Sequence, residues 1–151
     1  MSLYTIDARK YKILFFQILL SNIVATVGTY ILLKSNIYIL AGFDPGKKLT
    51  LPILFGMVLL TILLAQHQRK QLRKIDEIEV FEEKVIAYEK IHRLRVLLSM
   101  FACFVSCFLA ILTGRMTFFY YAIFDIVASL PSYPNLFLFK RELKNDDILF
   151  Y

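Results

Sequence analysis

Four tracts of the chain run for 16 residues or more with almost no charge: Ile13 to Leu33, Leu49 to Gln66, Val96 to Thr113, and Met116 to Pro131, the last interrupted by Asp125 alone. At 1.5 Å per residue, helices of these lengths cover roughly 24 to 32 Å, close to the thickness of a bilayer's hydrocarbon core. None shows the polar stripe of a surface helix. A single domain of 151 residues has too little interior to bury four helices that are apolar on every side. The tracts therefore predict four membrane spans, at about 13–33, 49–66, 96–113 and 116–131. The first is longer than the apolar region of a signal peptide and reads as an uncleaved span.

The punctuation agrees. Gly42, Asp44, Pro45 and Gly46 turn the chain between the first two spans, and Ile37 to Phe43 is apolar enough to lie in the interface or fold back on the bundle. Pro52 stands in the first turn of the second span, where its missing N–H costs nothing. Only Thr113, Gly114 and Arg115 separate the third and fourth spans, which predicts a tight antiparallel turn. Pro131 and Pro134 end the fourth. Asn135 to Phe139 reads as a surface-lying segment before the polar tail KRELKNDDILFY.

The polar counterpart of the tracts is the run from His67 to Arg95. It contains no Gly or Pro, so the flanking helices are expected to continue through it and reverse once. Asp76, three residues before Glu79, is the candidate cap of the returning helix. Leu72, Ile75 and Ile78 on one arm and Phe81, Val85, Tyr88 and Ile91 on the other recur at steps of three and four and predict the seam. Basic residues lie at both ends of the run and acidic ones in its middle, as negative headgroups would select. The predicted fold class is an all-α membrane protein, one domain over residues 1–151: a four-transmembrane-helix antiparallel bundle with spans two and three extended into a cytoplasmic helical hairpin over about 67–95.

Charge fixes the expected orientation. Arg9, Lys10, Lys12, eight Lys and Arg of the central run, Lys140, Arg141 and Lys144 fall on one side, against Lys34, Lys47, Lys48 and Arg115 on the other. The positive-inside bias then places both termini and the run in the cytoplasm. The same bias explains the net charge of +6 without nucleic acid, which is not an expected partner. Cys103 and Cys107, one helical turn apart in an apolar tract, read as small buried hydrophobes, because their geometry does not suit a disulfide.

Candidate chemistry is sparse. Asp125, Asn22 and Ser106 fall at similar depths in three spans. An ionised aspartate at mid-bilayer costs about 2.5 to 3.5 kcal/mol on insertion scales, so Asp125 should face inward, protonated or partnered. One reading makes it a proton or cation site. The other makes it a neutral carboxyl bonded to Asn22, Ser106 or Thr26 that registers the bundle. Ala102, Ser106, Ala110 and Gly114, with Ser21, Ala25 and Thr29, form small-residue stripes that suit internal helix packing or an oligomer face.

Glu89 and His92 make a single Glu-x-x-His unit, short of a di-iron set, and both His67 and His92 read as interfacial polar residues. No catalytic constellation, metal site or cofactor motif is expected. Two classes of function remain. One is an accessory or scaffolding subunit acting through helix packing and its hairpin, with a second copy or another membrane protein as partner within the lipid bilayer. The other is a small transporter or channel component using the polar layer around Asp125. An enzyme would be a distant third, lacking a paired acid and base.

YEKIHRLRVLL (Tyr88 to Leu98) leading into a span, the glycine turn, and the ending PSYPNLFLFKREL together resemble an uncharacterised family of small bacterial four-span membrane proteins. The resemblance covers about the last 65 residues and implies a bacterial cytoplasmic membrane and the four-span count. It supplies no catalytic residue. An acidic residue found just inside the third span of similar proteins has no match at Leu97, Leu98 or Ser99.

Overall fold

A computed structural model describes residues 4–40, 48–145 and 147–150. The turn expected at Gly42, Asp44, Pro45 and Gly46 lies outside them. Among the described residues the chain forms α1 (Arg9–Lys34), α2 (Thr50–Asp76), α3 (Phe81–Thr113), α4 (Met116–Ser129) and α5 (Leu136–Leu143), with short strands β1 (Tyr4–Ile6) and β2 (Ile148–Phe150). Helices α1, α2 and α3 are each long and apolar enough to cross a membrane. A fourth crossing is reached if α4, its 3-10 turn Leu130–Ser132 and α5, bent by 75°, are taken as one span. The fold is thus helical and compatible with a multi-pass membrane protein.

Helix α3 is the central post. It packs against α1, α2 and α4, and its small residues explain why: Cys103, Ser106 and Ala110 are fully buried, as is Ala122 on the facing turn of α4. In lipid, where greasy surface alone does not join helices, such positions let backbones approach. Helix α2 is peripheral by contrast. Its buried residues are Thr50 and Ile75, one at each end, and the apolar stretch between them is largely uncovered.

The turn between α3 and α4 is as tight as the glycine predicts. Gly114 adopts φ 65°, and its N–H donates to the Ala110 carbonyl at 2.8 Å. A second device satisfies the last carbonyls of α3, which a helix end leaves orphaned. The chain after α1 folds back, so that Ile39 N–H donates to Ile111 O at 3.2 Å and Leu40 N–H to Leu112 O at 2.9 Å. The Tyr38 ring then lies against Gly114.

Away from this end, a separate core gathers elements from the whole chain. Ile6, Tyr11, Ile75, Tyr88, Phe139, Leu143 and Ile148 are buried together, with Leu72, Phe81, Val85 and Ile91 packed against them. Of the expected seam residues, Leu72, Ile75, Phe81, Val85, Tyr88 and Ile91 share this core with both ends of the chain, whereas Ile78 lies outside it. Strands β1 and β2 pair in parallel, Tyr4 opposite Ile148 and Ile6 opposite Phe150.

One expectation is corrected here. Asp76 does not cap a returning helix; it is the last residue of α2, paired with Lys144 at 2.6 Å. The reversal falls at Glu77 to Val80, where extended Val80 precedes α3 and Glu82 and Glu83 occupy the first turn, favourably placed for the helix dipole. The segment from Asn135, expected to lie on the surface, forms α5, which Asn135 caps by accepting the Leu138 N–H at 2.7 Å. Phe137 is exposed, whereas Leu138, Phe139 and Leu143 are buried, Phe139 and Leu143 in the core with Ile75 and Tyr88.

Candidate functional site

Asp125 sits on the α4 face turned toward α3 and is 6% exposed. Its Oδ2 accepts a hydrogen bond from Ser106 Oγ at 2.9 Å, and the same hydroxyl lies 2.9 Å from the Ala102 carbonyl one turn back. Two of the three predicted polar residues are thus joined. Asn22 is not part of that bond. Its side chain is wholly buried on α1 with neither amide atom hydrogen-bonded among the described residues, while its backbone carbonyl accepts from Thr26 Oγ1 at 2.8 Å. Thr26 also reaches the Cys103 and Cys107 sulfurs at 3.6 and 3.8 Å. Both cysteines are free thiols.

A cleft of about 200 Å³ opens beside Asp125, between α2, α3 and α4. The residues of α2 that are buried lie at its two ends, and the cleft runs beside the less buried stretch between them. The walls are mixed: Thr61, Gln68, Ser99 and Ser129 bring hydroxyl and amide groups among leucine and alanine, and Arg95 stands at the end nearest the charged run. The Thr61 and Tyr121 hydroxyls, 3.3 Å apart, tie α2 to α4. Along α3, Arg95 and Ser106 are separated by about 16 Å of helix rise. The cleft is therefore amphipathic along its length, with a guanidinium at one end and a carboxyl at the other.

Arg95 does not stand alone. Its Nη1 donates to Glu142 of α5 at 3.0 and 3.2 Å, and the Tyr88 hydroxyl donates to the same carboxylate at 2.8 Å. The ion pair is nearly enclosed, with side chains 15% and 11% exposed. Removing one partner of so enclosed a pair typically costs about 3 to 5 kcal/mol, because the other charge is left without compensation. Burial, and then the Glu142 charge, push the Tyr88 hydroxyl far above its ordinary pKa. This network locks α5 onto α3 where the cleft begins.

His92, expected as an interfacial polar residue, is wholly buried within the protein, its ring 5.6 Å from Tyr11, 6.0 Å from Tyr88 and 6.2 Å from Phe139. Among the described residues neither ring nitrogen has a hydrogen-bond partner. Burial, reinforced by the nearby Arg95 charge, lowers its pKa to about 4, so it is neutral at physiological pH. His67, in contrast, is exposed and 3.3 Å from Gln71. The spacing Tyr88, His92, Val96 marks a buried stripe of α3 and was the available signal; the charged neighbours Lys90 and Arg93 obscured it.

Between the arms of α2 and α3 lies a wider, open groove of about 440 Å³. Ile75, Ile78, Ile86 and Ile91 give it an apolar lining, and Lys74, Lys90, Glu83 and Gln71 are its polar groups. The arms thus touch through the seam on one side, where α5 covers them, and part on the other.

Comparison of the chain with protein-family models, curated proteins and solved structures gives no match, so its fold and site are read from its own residues.

Proposed function

We propose that the protein is a four-span membrane protein with both termini and the 67–95 hairpin in the cytoplasm, and that it acts as an accessory or scaffolding subunit. The asymmetry of Lys and Arg supports this orientation. Both chain ends share one core with the hairpin, as a common side requires. The observation that supports this role is the groove between α2 and α3: an isoleucine lining with two lysines against one glutamate, a net positive charge, on a module tied down at the end of α5. Its occupant is an amphipathic helical segment of a partner protein, apolar at i and i+4 and acidic at its flanks.

A photo-crosslinking residue at Ile86, tested in native membranes against one at Glu82 on the same helix but outside the groove, checks this. A single discrete adduct is expected from Ile86 and none from Glu82, with Ala87→Arg abolishing it. Equal adducts at both positions, or none at Ile86, would remove the docking role.

One observation favours a second reading, a small transporter or channel component. The cleft ends on a carboxyl held by Ser106 and buried at mid-span, a costly group to keep in a bilayer. Proteoliposomes containing the protein should then pass protons or monovalent cations. Asp125→Asn should eliminate the flux, and a silent wild type would exclude this reading.

A further inference from the structure

At the level where the charged start of α1 meets its apolar body, a cavity of about 240 Å³ opens between α1 and α3. Its upper wall is built from Lys10, Tyr11, Glu89, His92 and Arg93, and its lower wall from Ile13, Leu14 and Gln17. We propose that this cavity holds the phosphate of an anionic phospholipid from the cytoplasmic leaflet, with the acyl chains running down past Ile13. The proposal rests on the membrane orientation above and is independent of the docking role.

The charges suit such a ligand. Lys10 Nζ lies 2.7 Å from Glu89 Oε2 and Arg93 Nη2 lies 3.4 Å from Glu89 Oε1, so one carboxylate answers two cations and leaves a net positive charge. Both cationic side chains are more than half exposed, at 54% and 63%, and can swing from Glu89 to a phosphate without disturbing the fold. Arg9, Lys12 and Lys90, within a turn on the same helices, strengthen the positive field. Basic pockets between spans on the cytoplasmic side are where anionic headgroups collect.

His92 supplies the second, independent observation. It forms part of this wall, is wholly buried, and among the described residues has no hydrogen-bond partner for either ring nitrogen. A buried polar group without a hydrogen bond is unfavourable, and native proteins seldom leave one unanswered. A neutral imidazole carries one N–H; the ring has no exposed surface here, so a phosphate oxygen would accept that N–H once the side chains of the wall move to uncover it. The apolar lower wall separates a lipid from a free anion. Ile13 is 58% exposed, and nothing in inorganic phosphate would cover it, whereas an acyl chain would.

Native mass spectrometry of the full-length protein, titrated with phosphatidylglycerol, phosphatidylcholine or inorganic phosphate, tests this. Phosphatidylglycerol adducts are expected at about tenfold lower concentration than phosphatidylcholine adducts, and Lys10→Gln with Arg93→Gln should erase the difference. His92→Phe keeps the packed ring, removes both nitrogens, and should also weaken phosphatidylglycerol selectively. It serves if the double variant does not fold. Equal binding of the two lipids, or a folded variant that still prefers phosphatidylglycerol, would overturn the site. Displacement of the lipid by millimolar phosphate would overturn its assignment to a lipid and leave a soluble anion. Carbonate extraction of the membranes separates this from the underlying reading. A protein released by carbonate would refute the spans themselves, whereas one retained with no lipid preference would refute only the site.

Discussion

His92 and Asp125 are both buried polar side chains, and the sequence signals them unequally. Asp125 is the sole charge in an otherwise uncharged tract, and helix rise puts Ser106 and Asn22 at its level; which of them bonds to it, Ser106, depends on how the helices face one another. His92 lies between Lys90 and Arg93 in the most charged part of the chain. Its burial comes from Tyr11 and Phe139, which are far away in sequence, and no local pattern announces them. A pH dependence follows. The folded protein keeps His92 neutral down to about pH 4, whereas the unfolded chain takes up a proton below its ordinary value near 6.5. Between those values the unfolded state binds more protons, so stability is complete above pH 6.5 and falls as pH drops toward 4. Thermal unfolding in detergent should show the wild type losing stability from pH 6.5 to 5, ahead of most carboxylates, and His92→Phe losing much less. Parallel slopes for the two would contradict the buried neutral ring.

Among the elements, the long helices were legible because each is an unbroken apolar tract, and the turn at Gly114 because two such tracts have almost nothing between them. The small elements were not. Strands of three residues and the eight residues of α5 carry too little pattern, and each is stabilised by a partner distant in the chain. The end of α2 was misplaced for a related reason. An Asp-x-x-Glu spacing suggests a cap, but Asp76 finds Lys144 instead and the helix runs on to meet it. Gly114 offers a sharp check. An added Cβ would carry a φ of 65° and approach Tyr38 Cγ to 3.0 Å. Gly114→Ala should cost about 1 to 2 kcal/mol from the left-handed backbone, plus the displacement of Tyr38. In the Tyr38→Ala background the steric part disappears and the backbone part stays. An unchanged unfolding midpoint in the single variant would show that the turn does not have this geometry.

At the scale of the whole molecule, polar and apolar segregation sets the architecture. Uncharged helices meet through small residues of α3, and charged segments from both termini and the middle of the chain condense into one core at a single end. The four-span count and the side on which that core lies are the proposed part, and the docking groove and the lipid cavity both depend on them. Cysteine accessibility in sealed right-side-out vesicles tests them most directly. Single cysteines are placed at Lys48, Glu79 and Arg141 in a background where Cys103 and Cys107 are alanine, and a membrane-impermeant maleimide is added. Lys48→Cys should label in intact vesicles, and Glu79→Cys and Arg141→Cys only after lysis. Labelling of Glu79→Cys in intact vesicles, or Lys48→Cys and Glu79→Cys responding from the same side, would contradict the topology.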